Sequence, residues 1–105
     1  MKMLKPILTT VEQGVQDGFK AGGKAMLNRS RELSPEDAGE LKREGFVVVD
    51  DMTLQVGYDS FVARIQHENL DYEHDDGQAK FLEAAADQID IETYIADGIR
   101  ARFGG

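Results

Sequence analysis

The stretch that decides the fold of this chain is Phe46-Val47-Val48-Val49-Asp50-Asp51-Met52-Thr53-Leu54-Gln55-Val56-Gly57-Tyr58. β-Branched and aromatic residues fill its two halves, which is typical of strands. The central Asp50-Asp51-Met52 has turn composition, so the stretch predicts a β-hairpin. In the second strand Leu54, Val56 and Tyr58 alternate with polar residues, and we expect them to face the core.

The first strand of this hairpin lacks polar alternation, because valines occupy positions 47, 48 and 49 in succession. A continuous apolar run indicates a strand that is covered on both faces. We expect a helix to cover one face and a neighbouring subunit to cover the other.

A long helix is predicted ahead of the hairpin, from Thr9 or Thr10 to Leu33. Glu12 and Gln13 follow the two threonines at the spacing of a capping box. One apolar stripe runs along this helix and comprises Leu8, Val11, Val15, Phe19, Met26 and Leu33.

Glycines recur four residues apart on a neighbouring face of this helix, at Gly14, Gly18 and Gly22. Each glycine in a helix interior costs about 1 kcal/mol relative to alanine, so packing must stabilise the helix. A face without side chains lets another backbone approach closely. We expect this face to contact either a neighbouring subunit or the chain's own sheet, with a kink at Gly22-Gly23 as a further alternative.

The remaining segments complete the prediction of an α+β fold. Ser34 is placed to cap a short helix that ends near Arg43, and residues 61–65 form either a third strand or a short helix. Residues 78–88 are predicted to be helical, and Asp90 caps a continuation to residue 103, as one bent helix or as two.

We therefore expect one domain over residues 1–105. It has a long N-terminal helix, a small antiparallel sheet built on the hairpin, and a C-terminal helix packed on the sheet. Residues 1–8 and 104–105 are expected to be flexible.

Composition argues against several classes of function. The chain has no cysteine, which excludes disulfides and thiolate sites. No apolar run approaches the roughly 18 residues needed to span a bilayer, and no signal-peptide core follows Lys2 and Lys5. The net charge is −8, with basic residues spread among acidic ones, which argues against a sequence-independent grip on DNA phosphates. We expect a protein made in a cytoplasm, without a membrane partner.

A polar loop is predicted at residues 67–77, and it is dense in possible metal ligands. In the calcium-loop register that places Gly77 correctly, Tyr72 occupies the first ligand position, so an EF-hand does not fit. His67, His74 and nearby carboxylates offer a transition-metal site, although their spacing matches no helical His-x-x-x-His arrangement. The third alternative is an ordered polar turn. No metal ligand and no cofactor-binding residue is assigned.

Known catalytic patterns are incomplete in this chain. Nucleic-acid deaminases need a paired Cys-x-x-Cys, which a cysteine-free chain lacks. Gly22-Gly23-Lys24 lies within a helical pattern and lacks the spacing of a phosphate loop, and no serine has the surroundings of a nucleophile elbow. Carboxylates are abundant enough to leave a hydrolase as an alternative, but no pattern of a deep apolar pocket accompanies them. The sequence predicts a protein that is not an enzyme and has no catalytic residue.

From about Arg29 to Glu83 the chain carries an ordered set of short motifs. They are a basic helix end, Pro-x-Asp-x-Gly, a Val-rich strand, Val-Gly-Tyr, an Ala before Gln-His-Glu, and Gly-x-Ala-Lys-Phe-Leu-Glu. The set resembles a family of small proteins that build the neck between capsid and tail in tailed bacteriophages. The positions that carry the resemblance are Pro35, Asp37, Gly39, Gly57, Tyr58, Gln66, His67, Glu68, Gly77, Lys80 and Phe81. The chain departs from the family pattern at Ala38, where Thr is usual, and at Asp75-Asp76, where Pro-Asn is usual.

This resemblance implies a structural virion protein without a cofactor, in which those positions shape the fold or its interfaces. It implies a homo-oligomeric ring, six- or twelve-fold, that joins the connector beneath the portal to the tail tube. The implied partners are neighbouring neck and tail-tube proteins, and DNA passes through the channel without specific binding. The implied location is the virion neck, after assembly in the bacterial host's cytoplasm. The alternative, from another class, is a small cytoplasmic adaptor or antitoxin-like interaction module.

Overall fold

Three helices and four strands make up the parts of the chain that the structure, a computed structural model, describes: residues 8–34, 45–58, 61–74 and 80–104. Their order is α1 Thr10–Leu33, β1 Phe46–Asp50, β2 Thr53–Tyr58, β3 Phe61–Gln66, β4 Asn69–His74, α2 Lys80–Gln88 and α3 Ile91–Arg102. The predicted α+β class and the long N-terminal helix are confirmed. None of the described helices is both long enough and apolar enough to cross a bilayer.

The four strands form an antiparallel meander in the order β1-β2-β3-β4. Val47 pairs with Val56 and Val49 with Leu54, which confirms the predicted hairpin. Residues 61–66 form the third strand rather than a short helix, and Ala63 pairs with Val56. The register of β3 against β4 shifts between Arg64 and Gln66, as at a β-bulge. Leu54, Val56 and Tyr58 are fully buried, as predicted from their alternation.

The start of α1 is fixed by the capping box that the sequence predicts, with Thr9 as the cap. Its Oγ1 accepts a hydrogen bond from the backbone N–H of Glu12 at 3.1 Å. The Glu12 carboxylate accepts one from the backbone N–H of Thr9 at 2.9 Å. At the other end Ser34 caps α1 itself, because its Oγ donates to the carbonyl of Arg31 at 2.9 Å.

Some sequence-based expectations fall on residues outside the described ranges. They are the short helix expected to follow Ser34 as far as Arg43, residues 78–79 at the start of the C-terminal helix, and all but Leu8 and Gly104 of the termini expected to be flexible. The same holds for Pro35, Asp37, Gly39 and Gly77 among the positions that carry the resemblance.

The core lies between α1 and the sheet. Val15, Phe19 and Met26 are buried at the centre of the predicted stripe, whereas Val11 near its start is 44% exposed. A Cβ atom built on Gly23 would lie 2.7 Å from Cγ1 of Val47, which shows how closely α1 approaches the sheet. The apolar stripe is therefore correct in its middle and wrong at Val11.

The glycine face of α1 packs against α3. The sequence had predicted contact with the sheet or with a neighbouring subunit instead. A Cβ on Gly18 would lie 2.5 Å from Cα of Ile95, and one on Gly14 would lie 2.5 Å from Cα of Ile99. Gly98 contributes from the opposite helix, so two backbones meet where side chains would normally separate them. The expected contact of this face with the sheet or with a neighbouring subunit is wrong, because the chain's own α3 covers it.

The C-terminal region consists of two helices rather than one bent helix. Residues 89–90 separate them, and the hydroxyl of Thr93 donates to the Asp90 carboxylate at 2.8 Å. Of these two C-terminal helices, α2 contacts the sheet, through β3, whereas α3 makes its most extensive contacts with α1. The packing of the C-terminal helical region on the sheet is thus provided by α2, and α1 lies between the sheet and α3.

The predicted polar loop at residues 67–77 is wrong over most of its described part. His67 and Glu68 alone form a tight turn, and Asn69–His74 then continues as β4. The structural reason is backbone pairing with β3, in which Gln66 lies opposite Asn69 and Ala63 opposite His74. A strand therefore stands where the density of polar side chains had indicated a loop.

Candidate functional site

Positions that carry the resemblance and lie within the described residues separate into a buried group and an exposed group. The buried group is Gly57 and Tyr58 together with Phe81, which is partly buried and packs against the core. Tyr58 is fully buried, and its ring meets that of Phe81 edge-on, with 5.8 Å between centroids. Gly57 is buried in β2 with a φ of 153°, a backbone conformation that favours glycine. The contact between Tyr58 and Phe81 holds α2 against the sheet, so the role of this group is internal.

The hydroxyl of Tyr58 is satisfied inside the core by α1. It lies 2.6 Å from Oγ of Ser30, which is also fully buried. Ser30 donates its single proton to the carbonyl of Leu27 at 2.8 Å, so Tyr58 is the donor to Ser30. Sequence reasoning missed Ser30, because nothing near it in the chain indicates that a tyrosine lies within reach.

The exposed group is Gln66, His67 and Glu68, at the end of β3 and in the turn that follows. Lys80 is also exposed, at the start of α2. The β3–β4 turn lies beside the β1–β2 turn, since the backbone N–H of His67 donates to the carbonyl of Met52 at 2.9 Å. Gln66, His67 and Glu68 therefore lie at one end of the sheet, where the two hairpin turns are adjacent.

An open cleft of about 500 Å³ lies at this end of the sheet, between the two turns and the first turns of α1. Its lining residues are Val11, Glu12, Val15, Asp51, Met52, Thr53, Gln66, His67 and Glu68. Asp51 adopts a φ of 55°, and its carbonyl accepts a hydrogen bond from the side chain of Gln16 at 3.0 Å. The sequence analysis had grouped Gln66, His67 and Glu68 correctly. It did not predict that Glu12 and Asp51 line the same cleft.

The chemistry of this cleft is that of an acidic surface without a built metal centre. Glu12 is already engaged in capping α1. Within the described residues no group of three or more His, Asp and Glu side chains is arranged to hold a metal ion. His67 lies in the turn and His74 at the far end of β4, roughly 17 Å along a strand of this length. The transition-metal alternative that joined the two histidines is therefore not supported by their placement.

A second candidate surface is the β1 edge, defined here as the outer side of Phe46–Asp50. β1 is the first strand of the described sheet and pairs on one side only, with β2. Val48 is 46% exposed although it lies in the middle of an apolar strand. The helix expected on one face of this strand is confirmed, because α1 packs against β1. The neighbouring subunit expected on the other face stays a prediction.

An ion pair joins the two long helices away from both surfaces. Nε of Arg102 lies 2.6 Å from Oδ2 of Asp17, and Nη2 lies 3.1 Å from Oδ1. This bidentate hydrogen bond is the main reason why the pKa of Asp17 lies below its ordinary value, and it raises the pKa of Arg102. The pair links α1 to α3 and is structural.

Comparison of the chain with protein-family models, with curated proteins and with solved structures gives no match. A functional proposal therefore depends on the surfaces of the chain and on its sequence motifs.

Proposed function

We propose that this chain is a structural protein of a tailed bacteriophage, a subunit of a ring in the neck. The ring would join the portal connector to the tail tube around the DNA channel. The proposal is supported by the motif order between Arg29 and Glu83 and by one structural observation, the β1 edge, with which no strand among the described residues pairs.

The β1 edge supports an assembly role because the residues of β1 themselves protect it poorly. Edge strands present unpaired backbone donors and acceptors, and soluble proteins usually guard them with charges, prolines or bulges. In β1 the residues at 47–49 are valines, and the only charge is Asp50 at its end. A neighbouring subunit or neck protein that covers this edge would remove the exposed valine and pair the free backbone groups.

The charge of the chain supports a channel that DNA passes without binding. With a net charge of −8, a ring of several copies would repel the phosphate backbone rather than hold it. The exposed carboxylates of Asp51 and Glu68 at the end of the sheet add to this field.

The test uses a phage whose copy of this gene is inactivated, complemented from a plasmid. Without the protein we expect DNA-filled heads and free tails that do not join, seen by negative-stain electron microscopy, and no infectious particles. The wild-type chain should restore joining, and Val48→Lys should not, because the charge lies in the proposed contact. Gln55→Lys is the matched control, since it adds the same charge to the neighbouring strand, directly opposite Val48.

Two results would contradict the proposal. One is a normal yield of infectious particles without the protein. The other is a purified virion from which the protein is missing, which would favour the adaptor or antitoxin-like alternative.

A further inference from the structure

We infer that two free copies of this chain pair through their β1 strands, antiparallel, about a two-fold axis at Val48. The pairing would join two four-stranded sheets into one of eight strands. This inference goes beyond the proposed neck function and does not depend on it.

The two edges of the described sheet differ in how well their own residues protect them. The β1–β2 register runs without interruption from Phe46 to Asp50, so β1 is a regular strand that another strand can match. The opposite edge, β4, follows a register shift between Arg64 and Gln66 and carries exposed Asp71. Bulges and charges are the devices that discourage edge pairing. Strand addition is therefore expected at β1 and not at β4.

The sequence of β1 is complementary to itself in an antiparallel pair, so a second copy of the chain is the expected partner of this edge. In an antiparallel pair centred on Val48, that residue lies opposite its own counterpart and Val47 lies opposite Val49. Asp50 then lies opposite Phe46, so no two like charges face each other. A parallel in-register pair would place Asp50 opposite Asp50, which is destabilising. Val47 and Val49 already pack against the core, so the partner's valines would extend it.

The area and the charge define how strong this pair can be. Five residues from each copy form a contact smaller than a standard interface of roughly 1,600 Å². Each copy also carries a net charge of −8, which opposes association. The dimer should therefore be weak, should grow with protein concentration, and should be strengthened by salt that screens the repulsion.

The experiment is sedimentation velocity of the full chain over a wide range of concentration. The wild-type protein should shift from monomer to dimer as concentration rises. Val48→Lys and Val48→Glu should each stay monomeric, because the pairing would place two like charges in direct contact. An equimolar mixture of the two variants should recover the dimer, since Lys then faces Glu across the axis. Gln55→Lys, one strand further in, should dimerise as the wild type does.

A single cysteine gives a second readout in a chain that has none of its own. Directly opposite residues of antiparallel strands lie about 4.5–5.5 Å apart at Cα, within reach of a disulfide. Val48→Cys should therefore give a covalent dimer on mild oxidation, and Gln55→Cys should give little. Circular dichroism melting of each variant checks that it is folded.

The inference is overturned by a wild-type protein that sediments as a monomer at every concentration. It is equally overturned if folded Val48→Lys still dimerises, or if the mixture of charge variants stays monomeric. These outcomes are independent of the phage test. A monomeric protein that restores head–tail joining refutes the pairing alone, and a dimer that is missing from virions refutes the neck function alone.

Discussion

The hydroxyl oxygens of Tyr58 and Ser30 lie 2.6 Å apart, and both side chains are fully buried between β2 and α1. The two residues are 28 positions apart in the sequence. The alternation in β2 predicted that Tyr58 faces the core, and the structure confirms it: the buried hydroxyl ties the sheet to the helix. A buried polar group of this kind specifies one packing arrangement, because any other leaves it without a partner.

The Tyr58–Ser30 pair should respond asymmetrically to truncation. Ser30→Ala leaves the tyrosine hydroxyl buried without a partner, which costs about 1–3 kcal/mol of unfolding free energy. Tyr58→Phe leaves Ser30 bonded to the carbonyl of Leu27 and should cost less, about 0.5–1.5 kcal/mol. Urea denaturation of both variants and of the double variant measures this, and the two losses should add to more than the loss in the double variant. Equal losses that simply add would show that the hydroxyls do not interact.

The contact between the glycine face of α1 and α3, here called the glycine seam, should not tolerate even an added methyl group. Gly18→Ala would place Cβ 2.5 Å from Cα of Ile95, and Gly98→Ala would place it within reach of the carbonyl oxygen of Gly14. Backbone atoms cannot turn aside, so the helices must separate, at a cost of about 1–3 kcal/mol that exceeds the gain of about 1 kcal/mol in helix propensity. Thermal unfolding should show a lower midpoint for both variants.

Gly22→Ala is the control for this seam. Its nearest neighbour there is the flexible end of the Ile91 side chain, which can change rotamer. We expect its unfolding midpoint to stay close to the wild-type value. If the unfolding midpoint of Gly18→Ala equals or exceeds that of Gly22→Ala, the close approach of the two helices is not the cause of the destabilisation.

The left-handed conformation of Asp51 should govern the β1–β2 turn. With a φ of 55° this residue tolerates Asn or Gly but not a β-branched side chain. Asp51→Gly should be neutral or should stabilise the protein by less than about 1 kcal/mol, whereas Asp51→Val should cost about 1–2 kcal/mol. Chemical denaturation of the pair measures the difference. Similar stabilities for the Gly and Val variants would refute a positive φ at this position.

The ion pair between Asp17 and Arg102 should contribute stability only above acidic pH. The hydrogen bond from Arg102 lowers the pKa of Asp17 below its ordinary value of 3.8. Because the folded pKa lies below the unfolded one, the contribution is present above about pH 4 and is lost as pH falls through the folded pKa. The stability gap between wild type and Asp17→Asn should therefore be largest near neutral pH and should close in acid.

Asp97→Asn is the matched control for that ion pair. Asp97 pairs with Arg100 within α3, at 2.7 Å and with both side chains exposed, and it joins no second element. Its substitution should change stability little at any pH. Urea denaturation at a series of pH values compares the two variants, and a gap for Asp17→Asn that stays constant down to strong acid would contradict the assignment.

Local signals were enough to predict the elements whose ends and buried faces are set by residues close together in the sequence. The capping box of Thr9 and Glu12 and the alternation of Leu54, Val56 and Tyr58 each involve neighbours within a few residues. Such patterns express the helical and strand periods directly. They gave the long helix and the hairpin with nearly the bounds that the structure has.

Local patterns could not predict β4 or the partner of the glycine face of α1, because in both cases the contacting residues are distant in sequence. β4 does show alternation, with Leu70 between polar residues, but its pairing with β3 is what makes it a strand. The glycine face of α1 was recognised as a close-contact surface, yet nothing in the helix names its partner. Gly98 in α3 was the available signal, a further glycine within an otherwise helical pattern.

The candidate site was predicted in the same partial way. Gln66, His67 and Glu68 are consecutive, so their joint exposure at a turn followed from sequence. The cleft beside them needs Asp51 and Val11 as well, which come from another hairpin and from α1. Only the meander topology, with both turns at one end of the sheet, brings these three segments together.

The glycine seam has a consequence for how the chain acquires its structure during synthesis. On the ribosome α1 emerges before the sheet, and α3, which packs against its glycine face, emerges after the sheet. A helix with so many glycines is marginal by itself, so it can consolidate early only against the sheet. A nascent chain stalled before residue 91 should therefore hold an incompletely ordered α1, and protease sensitivity in α1 should disappear only once α3 has cleared the exit tunnel.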